Sequence, residues 1–255
     1  EVKETQIAGM GQVHVDLTIE KLRRKFGVEV ELFPPKIPYR ETIRKKVENI
    51  EGKHKKQSGG RGQFGVCYLN VEPLPHGGGF EFVNAIVGGA IPRQWIPSVE
   101  KGVVARMAKG VIAGYNLVDV RVTVFDGKYH DVDSSDAAFQ MAGSKGFKVA
   151  VEKADAYLLE PIWNLEVVCP DEFMGDVMGD ISSRRGRVMG MEARGHNQVI
   201  RAQAPMAELL RYANELDSIT GGRGTFTVSF SHYDEVPREI QEKVVAAYQG
   251  EEEED

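Results

Sequence analysis

The sequence predicts an α+β protein of several domains, and three observations carry that expectation. The last hundred residues follow the order strand, helix, strand, strand, helix, strand. The middle of the chain mixes alternating strand-like runs with helical periods. A stiff joint, Pro34-Pro35 with Pro38, sets both apart from one N-terminal helix and strand. At 255 residues the chain has room for one large or two moderate domains with real cores.

In the first segment, residues 1–38, Val13, Leu17, Leu22 and Phe26 recur at helical spacing. Lys21, Arg23, Arg24 and Lys25 gather in the last turns and Gly27 stands where a helix stops, so a helix is expected over 14–26. Val28-Glu29-Val30-Glu31-Leu32 alternates as a strand. One helix and one strand cannot close a core, so this segment reads as part of a larger domain whose other elements lie upstream.

From 39 to 155 strands are expected at 42–50, 66–74, 80–85 and 118–125, and helices at 96–112 and 136–153. Ser135 stands at the N-cap of the second helix, where a hydroxyl accepts a bond from a free backbone N–H of the first turn. The pattern is that of helices grouped against a sheet. From 156 to 255 a strand ends at 165–168, and a helix follows at 172–183. Two strands, 187–193 and 198–204, join around Gly195; Pro205 opens a helix to 216, and 224–230 is a strand. That βαββαβ order is the split-βαβ, ferredoxin-like arrangement. A last helix, 238–248, is expected to pack back on the preceding domain, ahead of the acidic run Glu251-Glu252-Glu253-Glu254-Asp255.

With 42% hydrophobic and 27% charged residues, the chain has the composition of a soluble globular protein. No run approaches the roughly 18 apolar residues of a membrane span, and the first residues lack the basic and apolar regions of a signal peptide, which points to an intracellular protein. Cys67 and Cys169 sit in apolar strand-like runs and read as buried free thiols. A net charge of −6 argues against a general nucleic-acid coat. Local basic runs, Arg44-Lys45-Lys46 and His54-Lys55-Lys56, nevertheless lead toward Arg61 and keep RNA contact by one loop open.

Three motifs bear on chemistry. Gly60-Arg61-Gly62-Gln63-Phe64-Gly65 satisfies the G-x-G-x-x-G dinucleotide fingerprint. That site needs an apolar strand before the glycines and a helix N-terminus after them. Here a polar run precedes and the alternating Val66, Tyr68, Asn70 follows, so a glycine-rich hairpin tip is expected and a dinucleotide-dependent enzyme is a remote rival. A similar run, Gly221-Gly222-Arg223-Gly224, precedes another strand and suggests the same turn chemistry. Two readings of the first loop stay level: an RNA probe, in which Arg61 offers a fork of donors, Gln63 hydrogen-bonds and Phe64 stacks, or a solvated turn with Phe64 buried.

Tyr129-His130-Asp131-Val132-Asp133-Ser134-Ser135 is a polar strand-to-helix junction. Neither a metal site nor a hydrolase triad is indicated, since no second histidine lies at ligand spacing and no Gly-x-Ser-x-Gly elbow is present. Helix capping with His130 exposed at the turn is compatible with RNA contact. Arg184-Arg185-Gly186-Arg187 follows a helix, where cations are favourable by themselves, and also reads as a phosphate-binding corner.

The ordered series of motifs resembles the elongation factor G family of translational GTPases. It includes Gly9-Met10-Gly11-Gln12-Val13-His14, Tyr39-Arg40-Glu41-Thr42-Ile43, the run from His54 to Gly65, the run from Tyr129 to Ser135, Leu158-Leu159-Glu160-Pro161, Gly179 to Gly186, and His232-Tyr233-Asp234-Glu235-Val236-Pro237. The resemblance implies the end of the family's third domain (1–38), its S5-domain-2-like fourth domain (39–155) and its ferredoxin-like fifth domain (156–255). It further implies a cytoplasmic, monomeric factor whose partner is the ribosome. Ser58, Gly59, Gly60, Arg61, Gly62, Gln63, Phe64, Gly65, Tyr129, His130, Asp131 and Asp133 would lie at the tip that enters the small-subunit decoding centre beside tRNA and mRNA. Arg184, Arg185 and Arg187 would lie toward the stalk base of the large subunit. The sequence contains no G-x-x-x-x-G-K-[ST] loop, so no catalytic site is expected in it, and GTP and Mg2+ are expected only in an N-terminal domain outside it. A specialised paralogue, for example in ribosome recycling, and a ribosomal protection protein share the architecture and remain rival readings.

Overall fold

The computed structural model describes residues 5–7, 9, 12–57 and 62–248. Ser58, Gly59, Gly60 and Arg61 of the glycine-rich loop and the acidic run 251–255 lie outside the described residues. In chain order the elements are α1 (Gln12–Phe26), β1 (Arg40–Ile43), β2 (Val47–Lys56), β3 (Gln63–Pro73), β4 (Phe80–Asn84), α2 (Ile96–Lys109), β5 (Val120–Lys128) and α3 (Asp136–Lys153). They continue as β6 (Ala156–Pro170), α4 (Met174–Ser183), β7 (Arg187–Arg194), β8 (Asn197–Pro205), α5 (Met206–Leu209), α6 (Tyr212–Thr220), β9 (Thr225–Glu235) and α7 (Arg238–Ala247). The chain divides into two compact units: a first made of Tyr39–Leu159 with Glu235–Asp255, and a second made of Glu1–Pro38 with Glu160–Asp234.

The first unit holds a four-stranded sheet in the order β2-β3-β5-β4, antiparallel except for the β4–β5 pair. Alternation sends Cys67, Leu69 and Val71 of β3 and Val120, Val122 and Val124 of β5 to one face, where they meet Val99 and Val103 of α2 and Phe139 and Phe147 of α3. Each such buried side chain contributes about 1.5–3 kcal/mol, which fixes the register, since a slip by one residue would turn the whole set to water.

α3 begins where its cap predicts. Ser135 is extended (φ −156°) and its hydroxyl accepts from the Ala138 N–H at 3.2 Å. α2 stops at Gly110, whose φ of 72° an L side chain rarely adopts, three residues short of the expected end. The layers meet at backbone contact: a Cβ on Gly102 would overlap the Gln140 carbonyl oxygen, and one on Gly52 would overlap that of Ala142.

The strand expected at 42–50 is two strands. β1 ends at Ile43, and the N–H of Lys45 donates to the Ala154 carbonyl at 3.0 Å, turning the chain. Arg44 lies over the Tyr157 ring, 4.0 Å from its centroid, and forks onto Glu235 at 2.6 and 2.9 Å. β1 pairs with Ala156–Leu159 of β6. Glu41 of β1 is fully buried, and its carboxylate accepts four backbone N–H bonds, from Val111 (2.7 Å), Ile112 (3.1 Å), Ala113 (2.9 Å) and Tyr115 (3.2 Å). α7 belongs to this unit, where the Leu158 N–H donates to Gln241 Oε1 at 3.0 Å.

The second unit carries the split-βαβ arrangement. β7, β8 and β6 are antiparallel neighbours and β9 pairs with β6, giving the order β7-β8-β6-β9. Leu165, Val167 and Cys169 of β6, Ile200 of β8, Val177 and Ile181 of α4, and Tyr212 and Leu216 of α6 form its core. β6 runs well beyond the expected 165–168, straight through Pro161. That proline falls between the ladder with β1, which ends at Leu159, and the ladder with β8, which begins at Ile162, so its missing N–H breaks neither. The single helix expected at 205–216 is α5 and α6, separated where Arg184 takes the Glu208 carbonyl at 3.0 Å. Residues 28–32 form no strand. Val28, Val30 and Leu32 are exposed, and among the described residues no strand lies beside them to complete a ladder. Among the described residues no helix is long and apolar enough to cross a membrane.

Candidate functional site

β2 and β3 form the hairpin expected of the glycine-rich loop, with Lys56 opposite Gln63 and His54 opposite Gly65. No helix follows the glycines, so the pyrophosphate cradle of a dinucleotide site has no counterpart here. The second glycine run differs in its turn chemistry: Gly221 (φ 61°) is the left-handed C-cap of α6, a helix stop and not a hairpin.

Three hydrogen bonds weld the hairpin to the segment between β5 and α3. The Gly62 N–H donates to Asp133 Oδ1 at 3.1 Å, the Phe64 N–H to the Asp133 carbonyl at 2.9 Å, and the Ser134 hydroxyl to the Phe64 carbonyl at 2.8 Å. The Ser134 oxygen also receives the His130 N–H at 2.9 Å. Gly65 lets the hairpin approach α3, since a Cβ there would stand 3.0 Å from the Ala138 carbonyl oxygen. Gly62, Gln63, Phe64 and Gly65 are thereby brought together with Tyr129, His130, Asp131 and Asp133 at one end of the first unit.

The histidine is oriented by its own turn. Its Nδ1 accepts the N–H groups of Val132 and Asp133, each at 3.3 Å, and lies 3.6 Å from Asp133 Oδ2. Nδ1 acts as acceptor, so the neutral ring carries its proton on Nε2, and with 57% of the side chain exposed that N–H is offered to a partner. Tyr129 rests against Trp95 (centroids 5.9 Å), which stacks on Phe139 (5.3 Å, 22°), so the base of the tip is anchored in the core. Gln63 is partly engaged: its Oε1 accepts from His54 Nε2 at 2.7 Å, leaving its amide N–H groups outward. Ser134, which holds both loops, is the residue that sequence reasoning left out of the site. Its sequence signal was its place in the polar run from Tyr129 to Ser135. Among the described residues no three His, Cys, Asp or Glu side chains gather as metal ligands.

The arginine corner lies on the second unit and is tied inward. Arg184 pairs with Asp180 at 2.8 and 3.1 Å. Arg185 forks onto Glu160 at 2.6 and 3.0 Å and reaches Glu208 at 3.0 Å. Hydrogen bonding to these carboxylates, Asp180 for the first and Glu160 for the second, raises both guanidinium pKa values further. Glu160 is 2% exposed, so Arg185 neutralises a buried charge. Arg187, at the start of β7, is the exposed member.

Three family models match in sequence along the chain: elongation factor G domain III over residues 1–34, domain IV over 35–155 and the elongation factor G C-terminus over 157–244. The chain belongs to the elongation factor G family. Elongation factor G of Aquifex pyrophilus is 54% identical over 245 residues, 96% of this chain and 35% of that protein. A crystal structure of a protein from Thermus thermophilus superposes with a TM-score of 0.82 at 44% identity, covering 93% of this chain and 35% of that one. The chain thus spans about a third of the length of these two proteins. The matches agree with the α+β, multidomain reading.

Proposed function

We propose that this chain is the ribosome-binding part of an elongation factor G-like translational GTPase of the cytoplasm, which promotes movement of tRNA and mRNA with the tip of the first unit in the decoding centre. The welded tip carries this reading: two loops distant in sequence hold together His130, with its Nε2–H outward, and Gln63, with its amide donors not used by His54. Donors fixed in advance lose little freedom on binding and suit phosphate, 2′-OH and base-edge acceptors. A tip that makes these bonds better after tRNA movement than before it biases the movement by that difference, with no covalent step in this chain. GTP and Mg2+ belong to a nucleotide domain outside this sequence. In the second unit, Arg187 is the cation available to ribosomal RNA near the stalk base, while Arg184 and Arg185 hold their own unit together.

The test uses the longer protein that contains this chain, on pre-translocation ribosomes. Native protein should move mRNA rapidly; His130→Ala should slow the movement by tenfold or more, as expected for about 1.4 kcal/mol of lost differential binding, and leave ribosome-stimulated GTP hydrolysis near native. Equal loss of both activities would place His130 in ribosome binding and not in movement. GTP hydrolysis without any movement would indicate a specialised paralogue.

A further inference from the structure

The helix-free face of the first unit's sheet changes character along its length. Cys67 and Leu69 of β3 point into the core, so Phe64, Val66 and Tyr68 point to the opposite face. The register places Lys53 of β2 and Lys128 of β5 on either side of Val66, and Lys55 opposite Phe64. Cross-strand partners share a face, so three lysines and the rings of Phe64, Tyr68 and Phe125 occupy one patch next to the tip. Tyr68 and Phe125 are in contact, with centroids 6.3 Å apart, and both are half-buried while the lysines are exposed.

The charges on this face are sorted. Far from the tip, Arg121 is held between Glu72 (2.9 Å) and Glu81 (2.6 Å). Near the tip, none of Lys53, Lys55 and Lys128 has an ion-pair partner among the described residues. Two exposed carboxylates share this face, in the register row of Tyr68 and so farther from the tip than the lysines: Glu51, which accepts the Tyr68 hydroxyl at 3.3 Å, and Asp126, which accepts the Gly127 N–H at 2.8 Å. Lysines on an edge strand also serve to block edge-to-edge pairing, and β2 is an edge, which accounts for Lys53 and Lys55. It does not account for Lys128, which lies on the far side of the interior strand β3.

We infer that this patch is a second RNA-contact surface, continuous with the tip, in which the ammonium groups of Lys53, Lys55 and Lys128 take phosphates of one RNA strand and the Tyr68–Phe125 pair supports a ribose or base. The inference rests on the ribosome-binding reading above. The lysines stand about 7 Å apart along β2 and about 10 Å apart across two strand spacings, distances that flexible side chains adjust to a phosphate backbone. Ammonium–phosphate contact with an aromatic platform is the chemistry of sequence-tolerant RNA binding.

The experiment measures binding of the 255-residue chain to vacant ribosomes over a range of salt concentrations. Lys53→Gln/Lys55→Gln/Lys128→Gln should reduce the slope of log affinity against log salt by about 2, at roughly 0.7 per lost phosphate contact, and weaken binding about tenfold or more at about 0.1 M salt. The corresponding triple Arg variant, which keeps the charges, should restore both. A Gln triple that keeps the native slope and affinity overturns the inference and leaves the ribosome-binding reading intact. A native chain that does not bind ribosomes overturns both.

Discussion

Glu41→Gln tests the way the first unit closes on itself. The native carboxylate is out of solvent and accepts two bonds at each of its oxygens: Val111 and Ile112 N–H to Oε2, Ala113 and Tyr115 N–H to Oε1. Glutamine has nearly the same shape but replaces one oxygen with an NH2 group. Two bonds then become donor-against-donor contacts, and the other two lose their charge assistance. Charge-assisted bonds contribute about 1.5–3 kcal/mol each, against about 1 for neutral ones, and an orphaned buried donor costs about 1–3 kcal/mol. Allowing for relaxation of the 111–115 loop, the loss is about 3 kcal/mol, or a melting temperature lower by about 10–15 °C for a unit of this size. Calorimetry of the whole chain would read it, and amide exchange at Val111, Ile112, Ala113 and Tyr115 would show local loss of protection. A variant that melts within about 2 °C of native, with those amides still protected, would refute the account of Glu41 as the clasp of the loop.

Other perturbations have equally direct outcomes. Arg185→Ala strands the buried Glu160 carboxylate and should destabilise the second unit by about 3 kcal/mol, seen as a lower urea midpoint, whereas Arg185→Lys should recover part of the loss. Gly102→Ala forces a methyl onto the Gln140 carbonyl and should cost about 1–3 kcal/mol through separation of α2 from α3, measured the same way; a neutral result would mean the helices part freely. Burial pushes the Cys67 thiol up to about 12, so it should resist a thiol reagent at about pH 8 until the protein unfolds. The same shift gives the folded state a tighter hold on that proton than the unfolded chain, so its contribution to stability is intact below about pH 9 and lost as pH climbs toward 12. Ser134→Ala removes one bond between the loops and one to the His130 backbone, and should slow ribosomal movement in the longer protein while lowering the melting temperature by no more than about 5 °C.

The sequence made some elements plain and concealed others for identifiable reasons. α3 matches its expected span because a capping serine, a first-turn acid and a helical period agree on one boundary. The split-βαβ order was legible from the succession of strand-like and helical segments, with Gly195 at the β7–β8 turn and Pro205 opening the second helical stretch. Strand ends were less so: β6 passes through Pro161, which local rules treat as a stop, but its ladder with β1 ends at Leu159 and that with β8 begins at Ile162. Val28 to Leu32 has strand periodicity, but periodicity describes a face and not the neighbour that a strand requires. At the tip, the motifs named two loops that the structure brings together. What they did not show was the joining of Asp133 and Ser134 to Gly62 and Phe64, about seventy positions apart in the chain. The arginine corner read as helix-end cations or a phosphate-binding corner, and the pairing of Arg185 did not show because Glu160 and Glu208 are remote from it in sequence.

The glycine contacts of the first unit, one between α2 and α3 and one between β2 and α3, have a mechanical meaning. Where layers touch through side chains, an applied load is absorbed first by rotamer changes, which are soft. Where they touch backbone to backbone, as at Gly102 with Gln140 and at Gly52 with Ala142, no rotamer lies between them to yield. Displacement at the tip must then be passed on to the body behind it instead of being dissipated within.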